Sequence, residues 1–452
     1  MSNLGKIIKN IFGIVIIVAA IAITVTVYQR YNYNDFTKSV RERDKTIFSR
    51  DSEIKYAEAD SYKIENQDYN DAMFSEKVTV TPNTPYKVTC KVKVENVENQ
   101  DNVRTGGAHI CIDGTTERSV TISGTSDWQE ITLLFNSKNR TEIGIGFRLG
   151  GYQEMSKGTA WFSDFKMEVG TASNDTNWNM VCFIFPNIDV DVDINGRTEH
   201  VSLQMTENDI RDVQTNLGRF QTSIEEISHG KMTVEYETYI IDEPIDTLSY
   251  DEDNGYYVSD IDVYNQINPY VEQKEYDHIY VAFRMADKQK GNDVLVNDWI
   301  GLGGMDYFGI GFSNIRMPDD ENNYAYQYHY LFNTFPEEVF IHEFLHTLER
   351  NAGELGYEVP ALHNYARYGY AEDRLEGLRE WYEDYMNQNI SYGGEKIGLP
   401  AEIYSYQPVH ESNFTYSTQI DAFHEPENII EVIRSLFDRV GKLFSYSREQ
   451  VA

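Results

Sequence analysis

Residues 342–346 read His-Glu-Phe-Leu-His, the pattern H-E-x-x-H, within a stretch at 334–351 whose apolar residues recur at helical spacing. Histidines four residues apart lie on one helix face, so His342 and His346 can bind a single cation. Imidazole nitrogen suits zinc, and two helical histidines with a third ligand leave one position for water. Glu343, beside the first histidine, is placed to take a proton from that water. The pattern therefore predicts a zinc site with Glu343 as the catalytic base.

The chain is strongly acidic, with 39 Lys and Arg against 73 Asp and Glu and a net charge of −34. Binding to phosphates needs the opposite sign of charge, which argues against nucleic acid as a partner. This excess of acidic residues fits a soluble protein surface that lies outside the cytoplasm. Three cysteines are too few for a disulfide framework, and we expect buried thiols at Cys90, Cys111 and Cys182.

An uncharged apolar run at 11–27 is just long enough to cross a bilayer. Lys6 and Lys9 precede the run, so we expect the N-terminus to stay inside and the rest of the chain to emerge outside. A signal-peptidase site at 20–22 is the alternative, although the apolar run continues past it. The sequence therefore predicts a cytoplasmic tip and transmembrane anchor at residues 1–28. A polar juxtamembrane stalk follows at residues 29–49, ahead of the folded domains.

Residues 50–170 show a period of two, with short alternating strands separated by Gly, Asn and Ser, as at 86–94, 109–113, 131–135 and 143–149. This pattern, without a long helix, predicts an all-β antiparallel sandwich. The runs TPNTPYKVTCKVKV, GTSDWQEITLLF and GTAWFSDFKMEVG resemble carbohydrate-binding modules of the jelly-roll type. The resemblance implies a glycan ligand, with Trp128 and Trp161 either stacking on sugar or lying in the core. A spacer without a ligand is the alternative.

Residues 178–452 are predicted to run strand, helix, several strands and then the H-E-x-x-H helix. In this order of elements the region resembles the zincin metallopeptidases. The resemblance implies an α+β domain with Zn²⁺ as cofactor and a peptide bond as substrate. In that family a strand at the sheet edge binds the substrate backbone, and FGIGFSNIRM, residues 308–317, is the candidate. Gly301, Gly303 and Gly304 fit a loop near the cleft.

The third metal ligand stays open between a histidine and a glutamate. The metzincin form of the motif would need glycine at position 349 and histidine at position 352, where this chain has Glu349 and Ala352. His363 ranks first, because histidine is the commonest ligand type and a loop ahead of it can fold back under the helix. The gluzincin arrangement would instead take Glu372 or Glu376 from a later helix. We expect Glu349 either to support a ligand or to face solvent.

A cluster further along the chain gathers Tyr404, Tyr406 and His410. Zincins often place a tyrosine or histidine opposite the metal, where it stabilises the oxyanion of the tetrahedral intermediate. The resemblance therefore makes His410 a second candidate catalytic residue. With 33 tyrosines in the chain, the two tyrosines of the cluster carry little weight.

These observations predict a multidomain protein with an N-terminal transmembrane helix, an all-β jelly-roll sandwich and an α+β zincin-like metallopeptidase domain. We expect a single-pass protein of the cell membrane that works outside the cell as a zinc endopeptidase, with His342, His346 and His363 as ligands. The expected partners are a protein or peptide substrate, a cell-surface or extracellular glycan, and the membrane. The alternative is a surface glycan-binding or adhesion protein whose zincin domain is inactive or keeps zinc for structure.

Overall fold

The computed structural model describes residues 36–100, 105–151, 154–172, 175–194, 196–285, 299–318, 335–370 and 375–423. The apolar run at 11–27, predicted as a membrane anchor, lies outside them. Within these ranges no helix combines the length and the hydropathy needed to cross a bilayer.

The first half of the described chain is an antiparallel β-sandwich. One sheet has the strand order β1-β4-β8-β6 and the other the order β2-β3-β9-β5-β7, and the paired strands are antiparallel throughout. The predicted sandwich architecture is therefore confirmed. The strands, in chain order, are β1 Thr37–Val40, β2 Thr46–Tyr56, β3 Ala59–Asn70, β4 Ala72–Thr79, β5 Pro85–Asn99, β6 Ala108–Ile112, β7 Gly124–Asn136, β8 Glu142–Leu149 and β9 Ser156–Ala172.

The alternation read from the sequence separates the two faces of these strands. On β5, Val88 and Val92 are buried between the sheets, whereas Lys91 and Lys93 form ion pairs on the outer face. Because successive side chains of a strand point to opposite faces, such a pattern places one face in the core and the other in water. The three cysteines are free and buried, as expected.

The second half of the described chain mixes helices and strands. They are β10 Asn177–Phe185, β11 Asn187–Ile194, β12 Arg197–Gln204, α1 Glu207–Ile227, β13 Thr233–Ile240, β14 Ser249–Asp251, β15 Gly255–Tyr257, α2 Asp260–Val271, β16 His278–Met285, β17 Gly301–Tyr307, β18 Ile310–Pro318, α3 Glu338–Glu354, α4 Leu375–Met386, β19 Ile390–Tyr392, β20 Glu395–Ile397 and β21 Phe414–Ile420. Short 3-10 helices cover Arg43–Lys45, Leu362–Tyr368 and Ala401–Ser405.

A five-stranded sheet with the order β13-β10-β16-β18-β17 organises this half. Its first four strands are parallel, and β17 runs antiparallel to β18. Helices α1, α3 and α4 cover one face, while α2 and the β11–β12 hairpin contribute to the core on the other. Strands covered on both faces are nearly continuous apolar runs, and all of β16 is buried, with His278 and Arg284 its two polar residues.

Helix α3, which carries the H-E-x-x-H pattern, is fixed by the side chains opposite its histidines. Phe340, Phe344 and Leu348 are buried in the core between α3 and the sheet. Phe344 makes edge-to-face contacts with Trp178 of β10 and Phe220 of α1. This packing turns the face with the histidines away from the sheet.

The edge of the sheet differs from the expectation. The run at 308–317, predicted to be the edge strand, contributes β18, which pairs with both β16 and β17 and so lies inside the sheet. Among the described strands, β17 forms that edge, and Gly301, Gly303 and Gly304 belong to it rather than to a loop. The sequence pattern did not predict this strand, because its glycines have no side chains and so cannot contribute to an apolar–polar alternation.

Two segments outside residues 50–170 belong to the sandwich. Phe36 is buried in its core, and β1 with the first residues of β2 falls in the predicted stalk at 29–49. Strand β21, from the C-terminal part of the described chain, pairs antiparallel with β9, although the sequence analysis assigned residues 414–420 to the zincin-like domain. Most side chains of β1 and β21 are exposed, so neither shows the alternation of a half-buried strand. The sandwich therefore begins before position 50 and takes in a strand from beyond position 170.

Candidate metal centre

Three histidines from two elements meet beside α3. His342 and His346 lie one turn apart on the helix, and His363 comes from the 3-10 helix that follows it. The Nε2 atom of His363 is 2.9 Å from Nε2 of His342 and 3.2 Å from Nε2 of His346, and the two helical Nε2 atoms are 3.2 Å apart. The structure thus brings together the three residues proposed as metal ligands from the sequence.

The outer nitrogen of His342 is held by a tyrosine that the sequence analysis missed. Its Nδ1 lies 2.9 Å from the hydroxyl of Tyr382, and that hydroxyl donates to the carboxylate of Glu338. Because the hydroxyl proton is given to Glu338, the tyrosine oxygen accepts the proton on Nδ1 of His342. Nε2 of His342 is then the nitrogen with the free lone pair.

Glu349 holds the outer nitrogen of His346 and also the backbone next to His363. Its carboxylate lies 3.0 Å from Nδ1 of His346 and accepts the backbone N–H of Leu362 at 3.1 Å. The carbonyl of Leu362 accepts the indole N–H of Trp381 at 3.0 Å, so the residue next to His363 is held from both sides. Of the two roles expected for Glu349, the structure supports that of supporting a ligand.

The donor set fits zinc. With Nδ1 of His342 and His346 protonated, their Nε2 lone pairs face each other without a hydrogen between them, and a bound cation would relieve that repulsion. Tetrahedral zinc with bonds of about 2.0–2.1 Å holds its ligand nitrogens roughly 3.3 Å apart, close to the spacing found here. His363 is exposed, so the three nitrogens meet at the protein surface.

Burial sets the charge state of two of the imidazoles. It lowers the pKa of His342 well below its usual range, and the neighbouring His346 and His363 lower it further. His363 is more exposed, but the covered part of its ring and the neighbouring His346 still lower its pKa, with Glu349 acting in the opposite direction. A lowered pKa keeps these imidazoles neutral, which is the form that binds metal.

Glu343 lies between α3 and the edge strand, and two glycines make room for it. A Cβ on Gly301 would lie 2.3 Å from the Glu343 Oε1 atom, and one on Gly303 would lie 2.3 Å from its backbone oxygen. Burial raises the pKa of the Glu343 carboxyl well above its usual range, Glu338 raises it further, and the N–H of Gly303 lowers it by donating to the carboxylate. A cation held by the histidines would favour the ionised form.

The structure does not bring His410 to this centre. His410 Nε2 lies 3.1 Å from the Asp277 carboxylate, and its backbone N–H donates to Asn413. The residue lines a different cavity of about 150 Å³, beside Thr347 and Asn351 on another face of α3. The predicted oxyanion role of His410 is therefore unsupported, because its ring is held by Asp277 away from the three histidines.

The glutamates considered as alternative ligands are not part of the described cluster. Glu372 lies outside the residues that the structure describes. Glu376 is in α4, and its side chain is not described. Among the described side chains, His363 is the one that joins the two helical histidines in a three-ligand group.

The two tryptophans of the sandwich lie on the outer face of its larger sheet rather than between the sheets. Trp161 alternates on β9 with Ala160 and Phe162 of the core, yet its ring is covered, since its indole N–H donates to Asp51 and Lys63 lies 5.7 Å from the ring centre. An open groove on this face, about 480 Å³ in volume, is lined by Trp161 and by charged and amide side chains of β3, β5 and β9.

Comparisons with known proteins gave limited results. No family model and no curated protein matches the chain. Among solved structures, the carbohydrate-binding module TmCBM61 in complex with β-1,4-galactotriose matches with a TM-score of 0.22 and 16% identity over 30% of this chain and 92% of that one. The CBM22-1 xylan-binding domain of Paenibacillus barcinonensis Xyn10C matches with a TM-score of 0.20 and 12% identity, covering 30% and 87% of the two chains.

A third match is the enzymatically active domain of the bacteriophage CBA120 tailspike protein 4, with a TM-score of 0.24 and 11% identity over 31% of this chain. The present chain spans 20% of that protein's length. By their printed names, the first two structures are carbohydrate-binding modules. At these TM-scores they assign no function to the chain.

Proposed function

We propose that this protein is a zinc-dependent endopeptidase. The observation that carries the proposal is the convergence of three Nε2 atoms from His342, His346 and His363, with Glu343 buried one residue along the same helix. Support from Tyr382 and Glu349 on the outer nitrogens is what a metal site requires, because such partners fix the tautomer and orientation of each ligand. The proposal rests on this geometry, since the comparisons do not include a matching peptidase family.

The chain's own residues would divide the reaction between them. Zinc bound by the three histidines would polarise the peptide carbonyl and acidify a bound water. Glu343 takes the proton of the attacking water and passes it to the leaving amine. The edge strand β17 offers backbone groups with which an extended peptide can pair, so it takes the role expected of the run at 308–317.

The test uses the detergent-solubilised full chain, never exposed to chelator. We expect about one zinc per chain, because the three histidines converge on a single point. Glu343→Gln should keep the zinc while hydrolysis of a peptide library falls about a hundredfold to ten-thousandfold, as for loss of a general base. His410→Gln is the matched control and should retain activity. A wild-type protein without zinc, or full activity in Glu343→Gln, would contradict the proposal.

The second candidate function is glycan binding by the sandwich, in line with the alternative prediction. The groove on the outer face supports it, because sugar hydroxyls need both donors and acceptors, and the lining supplies the ammonium of Lys157 and the carboxylate of Glu98. Nearby, the half-buried Trp128 meets the ring of Tyr56 edge-to-face at 5.8 Å. In this function the metal half would be inactive, or would keep zinc for structure.

Titration calorimetry with soluble plant and bacterial polysaccharides tests this second candidate. We expect Lys157→Ala and Glu98→Gln each to weaken binding about tenfold, since each removes a charged hydrogen-bonding group from the groove. Lys77→Ala, on the other sheet, is the control and should change nothing. Zinc binding without hydrolysis, together with glycan binding, would favour this function over the peptidase.

A further inference from the structure

The loop of the sandwich between β6 and β7 contacts the hairpin formed by β17 and β18. The Thr116 hydroxyl donates to the Asp306 carboxylate at 2.8 Å, and the guanidinium of Arg118 lies 4.1 Å from the ring centre of Phe308. Asp306 also accepts the backbone N–H of Gly309 at 2.7 Å. The turn of the hairpin is thus bound by side chains of the other half of the molecule.

This turn has a backbone conformation that needs support. Phe308 has a φ of 52° and Gly309 a φ of 103°. A bulky residue with positive φ is strained by about 1–3 kcal/mol, and it persists only where its surroundings hold it. Arg118 on the ring of Phe308 is one such contact from the sandwich.

Arg350 of α3 holds the same strand from the other side. Its Nη1 donates to the carbonyls of Gly304 and Met305, at 3.2 and 2.5 Å, and lies 3.6 Å from Asp306. The register of β17 against β18 shifts between Leu302 and Met305, so Arg350 binds the strand where it bulges. Gly303, which lies so close to Glu343 that a Cβ there would be 2.3 Å from the Glu343 backbone oxygen, is in this bulge.

The sandwich also binds the end of α3. Lys138 Nζ is 2.8 Å from the Glu354 carboxylate, and the N–H of Asn139 donates to the backbone carbonyl of Glu354 at 2.9 Å. The last carbonyls of a helix have no partner within the helix, so this contact satisfies one of them. Both the strand and the helix that enclose Glu343 are therefore held by the sandwich.

We propose that the sandwich is a brace for the metal centre, acting through Thr116 and Arg118 on the hairpin turn and through Lys138 on the end of α3, while Arg350 of α3 holds the bulge from the other side. These side chains are positioning residues, because they hold β17 in the register that places Gly301 and Gly303 against Glu343. The sandwich is then a fixed part of the catalytic half rather than a spacer. The kinetic consequence of this brace rests on the proposed peptidase function, but the brace itself does not.

Hydrogen exchange of the full-length protein tests the brace directly. In Arg350→Ala, amides at 301–307 should exchange about tenfold to a hundredfold faster, since hydrogen bonds from a charged group are lost, while the first two turns of α3 keep their protection. Thr116→Val should speed exchange about threefold, and Thr116→Ser, which keeps the hydroxyl, should restore the wild-type rate. Lys77→Ala is the control. Unchanged exchange at 301–307 in Thr116→Val would overturn the proposal that the sandwich braces this strand, whatever Arg350→Ala shows, because Arg350 belongs to α3.

The same variants are then assayed for zinc and hydrolysis. Arg350→Ala should keep its zinc, because Arg350 contacts none of the three histidines, and should show a raised KM, because a loosened β17 pairs less well with substrate. An unaltered KM alongside faster exchange would overturn the positioning role. If the wild-type protein hydrolyses no peptide, the proposed function fails, while the exchange rates still decide whether the brace exists.

Discussion

Single side chains outside the H-E-x-x-H pattern decide how well the histidines can bind metal. A histidine ligand is useful only when its other nitrogen is fixed, since that contact sets both the tautomer and the ring orientation. Tyr382 does this for His342 and Glu349 does it for His346. The two glutamates involved act differently. Glu349 contacts His346 directly, whereas Glu338 acts on His342 through the hydroxyl of Tyr382.

Tyr382→Phe should therefore weaken zinc binding about tenfold to a hundredfold, the usual cost of losing such a partner. Competition with a chromophoric chelator measures it. Tyr385→Phe is the matched control on the same helix, because the Tyr385 hydroxyl is buried with no hydrogen-bond partner among the described residues. Equal zinc affinity in the two variants would show that Tyr382 does not orient His342.

The third ligand gives the second prediction at this scale. His363→Ala should lose zinc, because it removes one of three converging nitrogens, whereas Glu372→Ala and Glu376→Ala should keep it. Metal analysis of the three purified variants decides between them. Full zinc in His363→Ala with loss in either glutamate variant would assign the site to the gluzincin arrangement instead.

Much of the site could be predicted from the sequence, and the remainder could not for a physical reason. The spacing of His342 and His346 specifies one helix face, and Glu343 follows from the same short pattern. Tyr382 lies 40 residues from His342 and is one of 33 tyrosines, so nothing local marks it. Its role arises only when α4 packs beside α3. The contact of His410 with Asp277, which leaves its predicted role unsupported, likewise depends on tertiary packing.

At the scale of elements, β17 and α3 depend on each other. The strand approaches the helix closely because Gly301 and Gly303 have no side chains, and the space so created is filled by Glu343. A pattern of alternating side chains predicted β5 well but could not predict β17, β1 or β21. Three of the seven residues of β17 are glycines, and most side chains of β1 and β21 are exposed. Alternation is a signal of half-burial, so strands that are not half-buried give none.

Gly303→Ala should destabilise the protein by about 1–3 kcal/mol, since the new methyl would meet the backbone of α3 and force the strand away. Urea unfolding measures the change. Gly353→Ala is a matched control within α3, where a Cβ meets nothing within 4 Å, and should raise stability by about 0.5–1 kcal/mol. Equal stability of Gly303→Ala and wild type would mean that β17 does not pack as closely as described.

At the scale of the whole molecule, the two halves are interlocked along the chain. The sandwich receives β21 and Phe423 after the chain has completed the metal half, so both ends of the described chain lie in the sandwich. Lys87 on β5 also pairs with Glu411 just ahead of β21. The chain therefore crosses between the two halves twice. A protein cut off after β9 would leave the sandwich without β21.

The last prediction concerns how the molecule is held in place. The run at 11–27 is long enough to span a bilayer, and Lys6 and Lys9 on its N-terminal side favour an inside position for the tip. Full-length protein should stay in the membrane fraction after an alkaline carbonate wash and leave it only with detergent, whereas a variant without residues 1–28 should be released. Protease added outside intact cells should reach the metal half. Mature protein that begins near Ile23 would instead identify the run as a cleaved signal peptide.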